Sequence, residues 1–157
     1  MMYLLDTCVA SELRKPKTDS FSTTRPLARK VAKADPSVVA WASGIPQISL
    51  YLSAVCVMEL ELGTLLMERR DMIQGRILRN WIDRNVLPSF AGRVLVVDTT
   101  VAIRCASLHV PNPCSYRDSL IAATALVHGM TVVTRNVAHF EPSGVAVLNP
   151  WVEPNVN

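Results

Sequence analysis

Apolar positions in this chain come in short continuous runs separated by longer stretches of helical spacing. Tyr3-Leu4-Leu5, Ile48 to Ser53, Val94 to Val97 and Thr131 to Thr134 are the clearest runs, and Val145 to Leu148 is a candidate fifth. Runs this continuous suit strands buried on both faces rather than strands with one wet side. Between them the spacing changes to three and four. Val55, Met58, Leu62 and Leu65 predict a helix over 54–70, and Ile73, Ile77, Trp81 and Ile82 predict an apolar stripe on a second helix over 72–86, ended by Pro88. Shorter helices are expected over 9–13, 38–42 and 101–108, the last capped by Thr99 or Thr100. A further helix opens at Asp118 and stops at Gly129. Strands alternating with helices predict one α/β three-layer domain over 1–157, with a central, mostly parallel sheet of four or five strands flanked by helices.

Composition narrows this picture. Half of the 157 residues are hydrophobic and 18% are charged, enough for a substantial core and against disorder. No apolar run reaches a membrane span and the start lacks a signal-peptide pattern, so a soluble, cytoplasmic protein is expected. Cys8, Cys56, Cys105 and Cys114 contain no C-x-x-C pair, so a zinc cage is not suggested. They read as reduced and mostly buried thiols. Net charge is only +3, yet Arg14, Lys15, Lys17, Arg25, Arg29, Lys30 and Lys33 face one acid, Asp19. Such a cluster suits a phosphate backbone or, equally, a solvated loop. Residues 17–36, with Pro26 and Pro36, read as a basic loop insertion.

The chemistry lies in acids at predicted strand ends. Asp6 and Asp98 each follow an apolar run, Asn136 and His139 follow another, and Asp118 begins the helix leading into that run. In a parallel sheet these positions share one edge. Gathered carboxylates repel unless a cation neutralises them, and oxygen ligands favour Mg²⁺ or Mn²⁺. The alternatives are ordinary. Asp6 and Asp98 can each cap a helix, Asp118 can complement a helix dipole for ~0.3–1 kcal/mol, and Glu59 can be a solvated helix residue. No G-x-x-x-x-G-K-[ST] or G-x-G-x-x-G motif occurs, which disfavours nucleotide-triphosphate hydrolysis and dinucleotide redox chemistry.

Four segments in order carry a family resemblance. Leu4 to Val9 with Ser11 to Pro16, Leu52-Ser53 leading to Glu59-Leu60 and Gly63, Arg117-Asp118 with Leu120 to Ala125, and Thr134-Arg135-Asn136 with Phe140 together resemble a PIN-domain ribonuclease. The VapC toxins of type II toxin–antitoxin systems, including the FitB-like branch, look closest. The resemblance implies a Mg²⁺- or Mn²⁺-dependent endoribonuclease that cleaves RNA, a cognate VapB-like antitoxin, and a homodimer or a higher toxin–antitoxin assembly. It places Asp6, Glu59 and Asp118 as catalytic and metal-binding acids. Thr7, Thr134 and Asn136 fall on supporting positions, and Asp98 is a further supporting candidate. Arg14, Lys15, Arg117 and Arg135 are candidate RNA contacts, Arg135 alternatively pairing with an acid.

The departure from the family is His139: members often read T-R-N-x-x-D-F, and in Thr134-Arg135-Asn136-Val137-Ala138-His139-Phe140 the imidazole stands in the place of that fourth acid. Imidazole is a poor Mg²⁺ ligand and a better Mn²⁺ ligand, so a weakened site is one reading and a bystander surface residue is the other. A catalytically weak PIN module that mainly binds RNA or a protein partner is therefore the alternative function. A phosphate-monoester hydrolase is a third, disfavoured by the absence of D-x-D at Asp6. His109 and His128 are isolated and are assigned no chemistry.

Overall fold

The computed structural model describes residues 1–15 and 32–152. Strands β1 (Tyr3–Leu5), β2 (Leu50–Ser53), β3 (Val94–Leu95), β4 (Thr131–Val133) and β5 (Val147–Leu148) form one sheet in the order β3-β2-β1-β4-β5. Every pairing is parallel, with Tyr3 opposite both Leu50 and Thr131. The central strands are buried, which is why Leu4, Leu5, Leu52, Val132 and Val133 leave no room for alternating polar positions. From β1 the chain builds β2 and β3 on one side, then crosses back to lay β4 on the other. The switch point between β1 and β4 is where a parallel sheet opens a crevice at its carboxyl edge.

The helices are α1 (Thr7–Arg14), α2 (Pro36–Ser43), α3 (Ala54–Arg70), α4 (Met72–Trp81), α5 (Leu87–Ser89), α6 (Thr99–Leu108), α7 (Tyr116–His128) and α8 (Val137–Phe140). Helix α7 is buried over Ile121 to Ala125 because it packs on the core and against α6, where Ala123 meets Val101 and Cys105. Thr124 survives there by donating its hydroxyl to the Leu120 carbonyl at 2.7 Å. Gly129, at φ +64°, ends the helix in the left-handed conformation that glycine adopts without strain. The fully buried Phe140 anchors α8 beneath the edge, a burial that contributes about 1.5–3 kcal/mol. Among the described residues no helix is long and apolar enough to cross a membrane.

Several expectations shift. The third strand stops at Leu95, and Val96 and Val97 are exposed, because β3 is an edge strand paired only with β2. The helical run after Met72 does not end before Pro88. It passes through a π turn at Ile82–Val86 and takes Pro88 into α5, a wide turn already having broken the regular ladder that proline would interrupt. The apolar stripes of α3 and α4 do not all reach the core: Met58, Leu62, Leu65, Ile73 and Ile77 are exposed. Cys114 is exposed as well, unlike buried Cys56 and Cys105, and all four thiols are free. Most of the expected 17–36 insertion lies outside the described residues, and its last residue, Pro36, starts α2.

Helices α3 and α4 are joined by Asp71, which ends one and caps the other by accepting from the Ile73 and Gln74 amides. Arg79 of α4 grips Glu61 with two hydrogen bonds of 2.7 and 2.8 Å and reaches Glu68 at 3.1 Å. The two helices meet at Gly75, where an added Cβ would fall on the Glu68 backbone. Gly75→Ala should therefore destabilise the fold by about 1–3 kcal/mol despite alanine's better helix propensity, by forcing the pair apart. Chemical denaturation checks this, and an unchanged or raised stability would refute the close-approach account.

Candidate active site

Asp6 is placed by β1 and held by three donors. Its Oδ1 accepts from the Thr7 amide at 2.8 Å, capping α1. Its Oδ2 accepts from the Thr134 hydroxyl at 2.7 Å and from the Cys8 thiol at 3.4 Å. Thr134 follows β4, so the 2.7 Å bond closes the β1–β4 switch point, and its oxygen also accepts from the Asn136 amide at 2.9 Å. Asp6 is thus both a helix cap and a strand-end acid, and the two readings are not exclusive. Its carboxylate oxygens retain lone pairs for a cation.

Glu59 faces the same edge from α3, whose first turn is capped by Ser53 at the end of β2. Partial burial pushes its carboxyl pKa up; the Thr7 hydroxyl opposes this, the Asp6 charge adds to it, and Arg117 and Asp118 oppose and add in turn. Glu59 therefore lies within the electrostatic reach of both other predicted acids. The Thr7 hydroxyl also holds down the neighbouring Cys56 thiol, yet it is buried without a hydrogen bond of adequate geometry among the described residues. Such a group sits unpartnered at an edge crowded with acids.

Asp118 does not open its helix. Ser115 is the cap, bonding the Asp118 amide at 3.4 Å, and Asp118 occupies the third position of α7. Its side chain remains free of backbone duty and meets His139, with Nδ1 to Oδ2 at 3.2 Å. His139 is therefore turned toward the acids rather than away from them. Asn136 supports the edge through its amide, and Asp98 lies elsewhere. It follows the edge strand β3, is separated from β1 by β2, and caps α6 by accepting from Val101 at 2.9 Å.

The predicted bases divide. Lys15 is bound to buried Glu12 at 2.7 Å, while the Asp35 amide donates to the same carboxylate at 2.8 Å. Burial raises the Glu12 pKa, but these two partners outweigh it and hold the carboxyl below its usual range, helped by the Arg135 charge. Glu12, which the sequence reading left unassigned, thus ties α1 to the residues preceding α2. Arg135 lies over the Trp151 ring at 5.1 Å and Arg14 over Trp81 at 5.7 Å. Arg14 still borders a groove of about 300 Å³ that runs along Thr7, Ser11, Glu59 and Trp81. Arg117 is exposed beside Glu59 and Asp118.

Both nearby thiols are shifted away from the thiolate form. Burial, outweighing the lowering contact from Arg135, raises Cys8, with the Asp6 charge adding to it, and Cys56 is pushed to about 11. His109, which has no motif around it, bonds Ser119 at 2.9 Å and so braces the turn that bears Asp118.

Among the described residues no three His, Cys, Asp or Glu side chains already enclose a point where an ion could sit. A hydrated hard cation needs fewer protein ligands, being held by one or two carboxylates while keeping several waters. The donors are carboxylate and hydroxyl oxygens, with the unpartnered Thr7 hydroxyl among them. Nitrogen and sulfur are also at hand, since the Cys8 thiol bonds Asp6 and the His139 imidazole bonds Asp118.

Parallel strands with Asp6 at the switch point, and with Glu59 and Asp118 within its electrostatic reach, give this sheet an acidic carboxyl edge. The PIN domain profile matches residues 3–141, and the chain belongs to that family. It is similar to VapC ribonuclease Y4jK of Sinorhizobium fredii, 36% identical over 96% of this chain and 98% of the relative. Toxin FitB of Neisseria gonorrhoeae is 35% identical over 96% and 99% of the two chains. The solved structure of FitAB bound to an IR36 DNA fragment superimposes with a TM-score of 0.79 at 34% identity, covering 99% of this chain and 100% of that one.

Replacing the Thr134 hydroxyl should expose the dependence of Asp6 on it. Thr134→Val leaves a buried carboxylate oxygen short of a donor and should cost about 1–3 kcal/mol, while Thr134→Ser should recover most of the loss. Equilibrium unfolding of both variants decides; equal stability of the valine and serine proteins would remove the bond's assigned role.

Proposed function

We propose that this protein is a metal-dependent endoribonuclease and the toxin of a toxin–antitoxin pair. The observation that carries the reading is the gathering of Asp6, Glu59 and Asp118 at the β1–β4 edge, where burial first, and the Asp6 and Asp118 charges after it, raise the Glu59 carboxyl. Asp6 and Asp118 would hold the ion with Glu59 beside them, and the oxygen set favours Mg²⁺ or Mn²⁺. When bound, a divalent ion supplies charge neutralisation for the phosphodiester and a lowered pKa for an attacking water.

The remaining work falls to the chain itself. Thr134 and the Thr7 amide orient Asp6 from both sides, so that its carboxylate cannot swing away. Glu59, with its raised pKa, is suited to accept a proton from water on its carboxylate. Arg117, exposed beside these acids, and Arg14, along the adjoining groove, are placed to receive phosphates of the RNA backbone.

A second reading rests on the 3.2 Å contact between His139 and Asp118. The imidazole occupies one oxygen of a proposed ligand, which would make the site weak and leave binding as the main activity. His139→Asp distinguishes the two: a large gain in cleavage favours an impaired natural site, and no gain favours a competent one.

Protein partners have their own surface. Met58, Leu62, Leu65 and Leu66 on α3 and Ile73 and Ile77 on α4 form an uncovered apolar face. Relatives include FitB, whose solved complex is FitAB, and this face gives an antitoxin or a second copy of the chain apolar area to bury. Leu62→Glu with Leu66→Glu should weaken antitoxin capture or dimerisation at least about tenfold by placing charge in that area. Sedimentation and co-purification with the antitoxin read it, and unchanged behaviour in both rules this face out.

For the chemistry, Asp118→Asn should lower RNA cleavage in Mg²⁺ or Mn²⁺ by at least about 100-fold, the upper end of what loss of even a supporting group costs a metal site. Circular dichroism should remain unchanged, because Asp118 caps nothing. Full cleavage by this variant, or by the parent protein in excess chelator, would end the proposal.

A further inference from the structure

His139 also lines a cavity of about 230 Å³ between the loop that follows α6 and the turn that follows α8. Leu108, Pro113, Ala122 and Pro142 give it apolar walls, and Asn112, Cys114, Ser143 and His139 put polar groups around its margin. The wall formed by the loop is braced. The Cys114 amide donates to Nδ1 of His109 at 3.5 Å, so Nε2 carries the proton and donates to the Ser119 hydroxyl at 2.9 Å. That hydroxyl passes its own hydrogen to the Tyr116 carbonyl at 3.1 Å, and the Tyr116 ring stacks on His109 with centroids 4.5 Å apart. The loop is thereby tied to the same turn of α7 that carries Arg117 and Asp118.

We propose that this cavity receives one unpaired nucleobase of the RNA, the one attached to the nucleotide flanking the phosphate at Asp118. The inference rests on reading the acidic edge as an RNA-cleaving site. Three observations support it. The lining combines apolar side chains, against which a flat ring can lie, with hydrogen-bonding groups able to meet a ring's edge, the two kinds of contact by which single-stranded RNA is read once a base is splayed from its neighbours. Its volume suits one ring system and excludes a helix or a base pair. It adjoins the acids through His139, which lines it and bonds Asp118 at 3.2 Å. His139 then stands between phosphate site and base site, touching both, and Asn112 is the side chain able to donate and accept along a base edge.

Cys114, exposed and free, allows a test that needs no turnover. The full chain is incubated in chelator with single-stranded RNA carrying one 4-thiouracil activated as a disulfide with thiopyridine, its position walked along the strand. The Cys114 thiolate attacks the sulfur on the base, forming a protein–RNA disulfide and releasing pyridine-2-thione. Coupling should concentrate at one position adjoining the cleavage site, vanish in Cys114→Ser, and lose its preference for that position about tenfold in Asn112→Ala, the loss of one good edge contact. Coupling spread evenly along the strand, equal in duplex RNA, or persisting in Cys114→Ser would overturn the base site. So would an activated mononucleotide coupling as well as the strand. Selective coupling with no cleavage in any divalent ion would leave the base site standing and overturn the ribonuclease reading. Normal cleavage with evenly spread coupling would do the reverse.

Discussion

The hydrogen bond from Thr134 to Asp6 joins the ends of two neighbouring parallel strands at the point where the sheet changes direction. Much of the edge is arranged around it. It fixes a carboxylate that also starts α1, and Thr134 in turn receives the Asn136 amide, setting the course of the chain into α8. Phe140 then buries beneath, and His139 is delivered to Asp118. One short polar contact therefore sets the positions of residues separated by more than a hundred positions in the chain. It can do so because both partners are withdrawn from water, where a charged acceptor gains most from a fixed donor.

The sequence disclosed the fold more fully than the site. Buried central strands need unbroken apolar runs, so β1, β2 and β4 announce themselves, and Gly129 marks the end of α7 for want of any other residue at ease there. Edge strands carry a weaker signal: Val96 and Val97 resemble a buried strand and are exposed. Asp6 and Asp98 illustrate the deeper difficulty. Each follows an apolar run and caps the next helix, and nothing local separates them. Their difference is the order of strands in the sheet, which places one at the centre and the other at the rim. The resemblance to a family, not spacing, distinguished them.

Other residues were illegible for reasons of the same kind. Glu12 on a short helix ordinarily faces water, and only the Asp35 amide and Lys15 make its burial tolerable. His109 has no motif because its partners, Ser119 and the Cys114 amide, are chosen by the shape of a loop. The spacing on α3 and α4 predicts apolar stripes and the stripes are there, but Met58, Leu62, Leu65, Ile73 and Ile77 face outward. Periodicity reports that a face is apolar and is silent about what will cover it.

The raised Glu59 carboxyl has a thermodynamic corollary: burial first, then the Asp6 and Asp118 charges, disfavour its ionised form. That cost exists in the folded chain and not in the unfolded one, so ionised Glu59 works against the native state at its own sheet edge. Under the proposed metal-dependent reading, a cation bound among these oxygens would recognise only the folded arrangement and add its binding energy to the stability of the domain by mass action. Folding and occupancy would then be two readings of one equilibrium: the melting temperature would gauge the ion, and a variant that removes the cost at Glu59 would gain robustness while losing that responsiveness.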